Sequence, residues 1–420
     1  HCTTEDWSPQ FSFKFTKRKF YLGGSFMSRC IGTTARGIRT PIVKEGDDLV
    51  SIVVDSVLKA AKSENFELRD RDIVGITESL IARAQGNYAT VEHIAKDVSS
   101  KFPGDIGVVF PILSRNRFSI LLKGIAMSNR KIHLLLSYPA DEVGNHLMDL
   151  DRMDELKINP HTDVLTEEDY RRMFGQKVAH PFTGIDYVSL YRKVCNDNVD
   201  IYFSNDPRII LNYTKDVLVA NVHENKRTKR LLKEAGANIL YGIDDILASP
   251  IDGSGYNPEY GLFGSNLASD SEVKLFPRDS QDYVEKIQKE LYEKTGKKIE
   301  VMVYGDGAFK DPVGKIWELA DPVVSPGYTK GLEGTPHEIK LKYLVDTELE
   351  DLEGEEILTA IKQKIYAKDV DLLDQAEALG TTPRQITDLL GSLCDLISGS
   401  GDKGTPVVLV QGYFDNYASE

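Results

Sequence analysis

Apolar and polar positions follow two rhythms along this chain. After Glu45 the run EGDDL offers Asp47 or Asp48 as a helix N-cap, and Leu49, Ile52, Val53, Val57 and Ala60 then recur at helical spacing. The pattern predicts an amphipathic helix over 48–63, preceded by a short strand. Residues 72–77 (DIVGIT) read as a buried strand running into a polar loop, 79–85, before Gly86. From residue 100 short apolar runs recur at 106–110, 118–122, 132–137, 199–203, 217–222 and 238–241. Between the last two, 225–235 reads as a basic amphipathic helix closed by Gly236. The cluster 249–260 marks a loop or domain junction. Beyond it, helices over 281–294, near 355–366 and over 383–397 accompany strands at 299–304 and 406–410. Strands alternating with helices predict a mixed α/β fold with largely parallel pairing.

Composition narrows the function. A chain of 420 residues, 41% apolar and 28% charged, buries a sizeable core and is expected to divide into more than one domain. Its formal net charge of -14 repels a phosphate backbone, so no nucleic-acid partner is expected. No apolar run approaches the roughly 20 residues of a membrane helix, and no membrane partner is expected. Cys2, Cys30, Cys195 and Cys394 lie far apart with no Cys-x-x-Cys pair, which signals neither a disulfide framework nor a zinc knuckle. A reducing, cytoplasmic compartment is the expectation. Residues 1–26 precede Met27 and are read either as sequence upstream of a natural start or as a true extension. In the second case Phe11, Phe13 and Phe15 alternate as an edge strand would.

The candidate chemistry sits in small-residue loops at strand ends. The histidines form no pair at metal-ligand spacing on a helix, so any metal should be a hard cation held by oxygen. Neither common glycine-rich nucleotide fingerprint occurs, nor does a nucleophile elbow. The strand IEVMVY ends in Gly305, Asp306 and Gly307, which puts a carboxylate at the carboxyl end of a strand, where ligands collect. Asp306 reads as a metal ligand or as an Asx-turn residue. The loop Ser398, Gly399, Ser400, Gly401, Asp402, Lys403, Gly404 reads as a phosphate cradle or as an ordinary helix-to-strand connection. Ser114, Arg115, Asn116 and Arg117 fit an anion-pairing run or a solvated edge, and Lys226, Arg227, Lys229 and Arg230 fit the wet face of their helix. His133, His180 and His223 read as structural.

Together, separated stretches resemble one family. TPIVKEGDDLVSIVVDSVL, then DIVGITESLIARAQG, resembles the amino-terminal signature of the coenzyme F-420 gamma-glutamyl ligase family, which reads close to P-x-x-x-x-GDDL and ITSKIVSKAEG. GLFGSN with VKLFPRD resembles its GIDxSN and LLPEDPD, VYGDGAF stands at its strand with SDTFG, and LLGSLCDLISGSGDKGTPVVLVQGY resembles its last helix, loop and strand. The resemblance covers 27–95 and 255–415 as a ligase-like core and leaves 96–254 as an inserted α/β lobe.

It implies an enzyme that uses GTP, a divalent metal (Mn or Mg) and a monovalent cation (K) to join L-glutamate to a carboxylate acceptor through an acyl phosphate. It implies a homodimer as well. The acceptor would be a coenzyme F-420 precursor or a folate, and a non-catalytic nucleotide-binding protein is the alternative. By position, Thr40, Pro41, Ile42 and Val43 would lie along the nucleotide, as would Ser79, Arg83 and Asn266. Gly399, Ser400, Gly401, Asp402, Lys403 and Gly404 would wrap its phosphates. Arg83 and Asp306 would serve catalysis, and Asp306 would bind metal. The pattern's other metal aspartate is Phe263 here, and Asp252, or failing that Glu259, would replace it.

Overall fold

The structure, a computed structural model, describes residues 31–181, 183–305, 325–335, 337–368, 372, 375–378, 385–398 and 402–419. Along the chain come β1 (Thr34–Ile38), α1 (Leu49–Ser63), β2 (Ile73–Thr77), α2 (Glu78–Ala84), β3 (Tyr88–Thr90), α3 (Val91–Lys101), β4 (Ile106–Val109), α4 (Phe118–Ala126) and β5 (Ile132–Leu136). β6 (Leu165–Thr166), β7 (Val199–Phe203), β8 (Asp216–Val219) and β9 (Ile239–Gly242) follow, with a helix, Asn225–Glu234, between the last two. Next are β10 (Asn266–Ser269), β11 (Glu272–Lys274), a helix Ser280–Thr295, β12 (Glu300–Tyr304), a helix Ile386–Ser398 and β13 (Val407–Gln411). The fold is mixed α/β, as the pattern predicts.

Two compact units divide the chain, one of Thr33–Pro336 with Pro383–Phe414, the other containing His337–Thr382 and Asp415–Glu420. In the smaller, helices Leu341–Thr347 and Gly354–Ala367 pack around Leu344, Leu349 and Ile361, and the Tyr366 hydroxyl donates to the Ala418 carbonyl at 2.8 Å.

In the larger unit, a four-stranded sheet has the order β1-β13-β2-β12. Period-2 alternation sends Val74, Ile76, Val301, Val303, Val407 and Leu409 to one face, against α1 and the helix Ser280–Thr295. Ile73, Met302, Tyr304, Val408 and Val410 take the other face, against Leu390 and Cys394 of the helix Ile386–Ser398. Asp48 caps α1 by accepting from the Ser51 amide at 3.2 Å. Gly75 lets the helix Ile386–Ser398 lie close to β2, since a Cβ there would stand 2.5 Å from Cys394 Sγ.

A second sheet, six-stranded, has the order β6-β7-β5-β4-β8-β9, all parallel except β6. Its core also takes in Ala89 of β3 and Val273 of β11, which belong to a third sheet, β10-β11-β3. The sequence reading differs at two elements. Residues 79–85, read as a polar loop, fall largely in helix α2, because Leu80, Ile81 and Ala84 recur at helical spacing and are buried. The run 118–122 lies in helix α4, with Phe118, Ile120, Leu121 and Leu122 buried. Near-continuous burial hides the helical period there. No helix among the described residues is long and apolar enough to cross a membrane.

Candidate active site

Strand direction builds the site. β13 runs antiparallel to β1 and β2, and β2 runs parallel to β12. The carboxyl ends of β1, β2 and β12 and the amino end of β13 therefore share one edge, where Ile38 and Ile76 both pair with Val407 and Thr77 pairs with Tyr304. Segments far apart in sequence leave the sheet there. The Thr77 amide donates to the Pro406 carbonyl at 3.1 Å, and the Tyr304 hydroxyl donates to the same oxygen at 3.4 Å. Asp306, nominated for catalysis and metal, lies outside the described residues, as do Gly399, Ser400 and Gly401.

An open cleft of about 1310 Å³ brings two nominated segments together, with Thr40, Pro41, Lys403 and Thr405 all in its lining. Asp47, Ser51 and Lys59 also line it. Ile42 is 79% exposed, whereas Val43 is 2% exposed and packs in the core against the residues of α1. Asp402, Lys403 and Gly404 are exposed, and Gly404 takes a positive φ of 64°.

Beside this edge lies a charge cluster of which sequence reasoning saw only part. Glu78, the first residue of α2, is 6% exposed, and its carboxylate accepts from the Thr77 hydroxyl at 2.9 Å. Burial pushes its pKa up, while the Thr77 bond and the charges of Lys274 and Arg117 pull it back. Lys274, closing β11, donates from Nζ to Ser79 Oγ, and burial lowers its pKa against the pull of Glu78. Asn266 pairs with Lys274 across the hairpin, which carries it to the same place. Arg83 is exposed on α2, and its charge reaches Lys274. Arg117, just before α4, is largely buried; burial lowers its pKa while Glu78 and Asp395 raise it. Of the two arginines read as one run, Arg115 is the solvated one.

Glu78 and Lys274 were not nominated, and nothing in their spacing marks them. Their meaning comes from burial and from partners on other elements. A helical reading of 78–84, with an acid opening it at a strand end, is the one signal that would have found Glu78.

Asp252, nominated for metal, has a positive φ of 48°, is mostly exposed and pairs with Lys96 of α3, with His93 adding to the attraction that lowers its pKa. Phe263 packs against the core of the second sheet. Among the described residues no three His, Cys, Asp or Glu side chains gather as a metal site. His133 lies beside the stacked pair Tyr202 and Tyr213 with Asp105 and Asp200 within 3.7 Å, and His180 is buried and accepts from the Thr183 amide. His223 is exposed, and Lys229, read as a wet-face residue, bonds Asp244 and Asp245.

Residues 37–412 match the family model described as F420-0:Gamma-glutamyl ligase. No curated protein matches the chain. Since that match spans nearly the whole sequence, the chain belongs to the F420-0:gamma-glutamyl ligase family, ligases that form a C–N bond.

Proposed function

We propose that this chain is a GTP-dependent gamma-glutamyl ligase that adds L-glutamate to a carboxylate acceptor by way of an acyl phosphate. A carboxylate is a poor electrophile, so the γ-phosphoryl group first passes to the acceptor. The glutamate amine then attacks the acyl carbon, and phosphate leaves. The carrying observation is the shared edge of the four-stranded sheet, which gathers Thr40, Pro41, Ser79 and Lys403 beside the cluster around Glu78.

In this reading the nucleotide lies in the cleft between Thr40 and Lys403. Lys274, Arg83 and Lys403 offset charge on the phosphates, in surroundings where fixed cations act more strongly than in water. Glu78 is a positioning residue, holding Lys274 and Arg117 in place. The described residues alone do not assemble a cation site, so no step is routed through a metal; Asp306 and Asp252 stay the nominees, with Mn or Mg as the divalent ion and K as the monovalent one. A homodimer and a cytoplasmic compartment belong to the same reading. Phe263, standing where the family pattern carries an acid, favours a second reading in which the chain binds nucleotide without catalysis.

The test is phosphate release by the purified full chain with GTP or ATP, Mn²⁺, K⁺, L-glutamate and either a coenzyme F-420 precursor or a folate. Release that needs both glutamate and acceptor supports the ligase. Nucleotide binding without release from either acceptor supports the second reading.

A further inference from the structure

The six-stranded sheet has a crevice of its own. Its parallel strands lie in the order β7-β5-β4-β8-β9, so the winding reverses between β4 and β8, and the segments leaving those two strands part there. Doubly wound sheets bind ligands at this switch point. Here Ile112 and Ser114 follow β4, Ala220 and Val222 follow β8, and a cavity of about 30 Å³ lies between them. A water needs about 10–15 Å³ of such space, so the cavity suits a group the size of a carboxylate.

Two charges decide what enters. At the amides leading into the helix Asn225–Glu234, where a phosphate would rest, the chain has placed an anion of its own. Glu142 accepts there from the Val222 amide at 2.6 Å and the His223 amide at 3.2 Å. A phosphate would meet that resident carboxylate. The rest of the lining is mainly apolar, Phe118, Leu121 and Phe263 among it, and Arg117 is the one cation among the described lining residues. Arg117 is also the residue whose charge reaches Glu78 and Asp395, so the crevice and the sheet edge share a guanidinium.

We propose that the β4–β8 crevice seats the acceptor, a carboxylic acid whose carboxylate enters the cavity against Arg117 while its body stays at the half-open mouth; calling that acid the acceptor rests on the ligase reading, while its binding does not. Benzoate and its uncharged isostere benzamide are the probes, titrated calorimetrically into the full chain. Benzoate should bind more tightly than benzamide. Arg117→Met should weaken benzoate by about tenfold or more with little effect on benzamide, and Arg117→Lys should recover part of the loss. Ala220→Val, which fills the cavity, should weaken both. A wild type that does not bind benzoate overturns the proposal, as does benzoate binding indifferent to Arg117 and Ala220. Arg117-dependent binding in a protein that never releases phosphate would keep the crevice and remove the ligase; release without benzoate binding would do the reverse.

Discussion

Glu78, which opens α2 after β2, and Asp141, in the loop after β5, are both buried acids beyond the carboxyl end of a strand, yet their surroundings differ in kind. Asp141 is held by its own neighbourhood, accepting from the Leu113, Val143 and Asn145 amides and from Asn145 Nδ2 at 2.7–3.0 Å. Glu78 receives the Thr77 hydroxyl and a single backbone bond, from Ser79, and is otherwise offset by Lys274 and Arg117, which arrive from β11 and from the segment before α4. An acid saturated by backbone donors fixes a loop. An acid balanced by charged side chains from distant elements holds charges that a substrate can engage.

From that contrast, the largest stability loss is expected from Asp141→Ala. It strands four donors in the interior, at about 1–3 kcal/mol for each left unsatisfied, and urea unfolding should show a fall of about 4 kcal/mol or more. Asp141→Asn should fall less, since an amide oxygen still accepts. The same residue governs a pH effect. Burial lifts its pKa from 3.8 unfolded to about 6 folded, so the folded state holds the proton more tightly. Its stabilising contribution is full below about pH 4 and is lost as pH rises through about 6, about 3 kcal/mol in all. Comparing wild type with Asp141→Asn across that window should show the wild type losing ground as pH rises. Equal pH profiles would put Asp141 outside the account.

At the other acid the effect falls on activity. Lys274→Met should cut glutamate-dependent phosphate release by about a hundredfold. It should also lower the melting temperature, because Glu78 keeps a buried charge with one partner fewer. Pairing it with Glu78→Gln should restore the melting temperature and leave activity low. Recovery of both, or of neither, would erase the distinction between the two acids. The smallest effect is expected at Asp252. Asp252→Asn breaks only a surface ion pair and should leave the melting temperature unchanged. Loss of a Mn²⁺-induced stabilisation in that variant would support Asp252 as a metal ligand.

Most of the fold was legible where period and punctuation agree. Asp48 before an apolar stripe announced α1, Gly236 closed the helix Asn225–Glu234, and the apolar run at 299–304 gave β12. In α2 the polar letters of Glu78, Ser79, Arg83 and Gln85 hid the buried stripe of Leu80, Ile81 and Ala84. The site followed the same division. Thr40, Ser79 and Lys403 were nominated through resemblance, whereas Lys274 in VKLFPRD looks like any strand lysine until the hairpin folds it onto Ser79. Arg117 gave half its meaning, since charge is written in the sequence and burial is not.

The most direct test of the claim that the edge of the four-stranded sheet holds nucleotide is a thermal-shift titration of the full chain with millimolar GTP or ATP, with and without Mn²⁺. Ligand that binds only the folded state raises the melting temperature with concentration. The account predicts a rise in the wild type that is reduced in both Lys274→Met and Lys403→Ala. No rise with either nucleotide, or a rise of wild-type size in both variants, contradicts it.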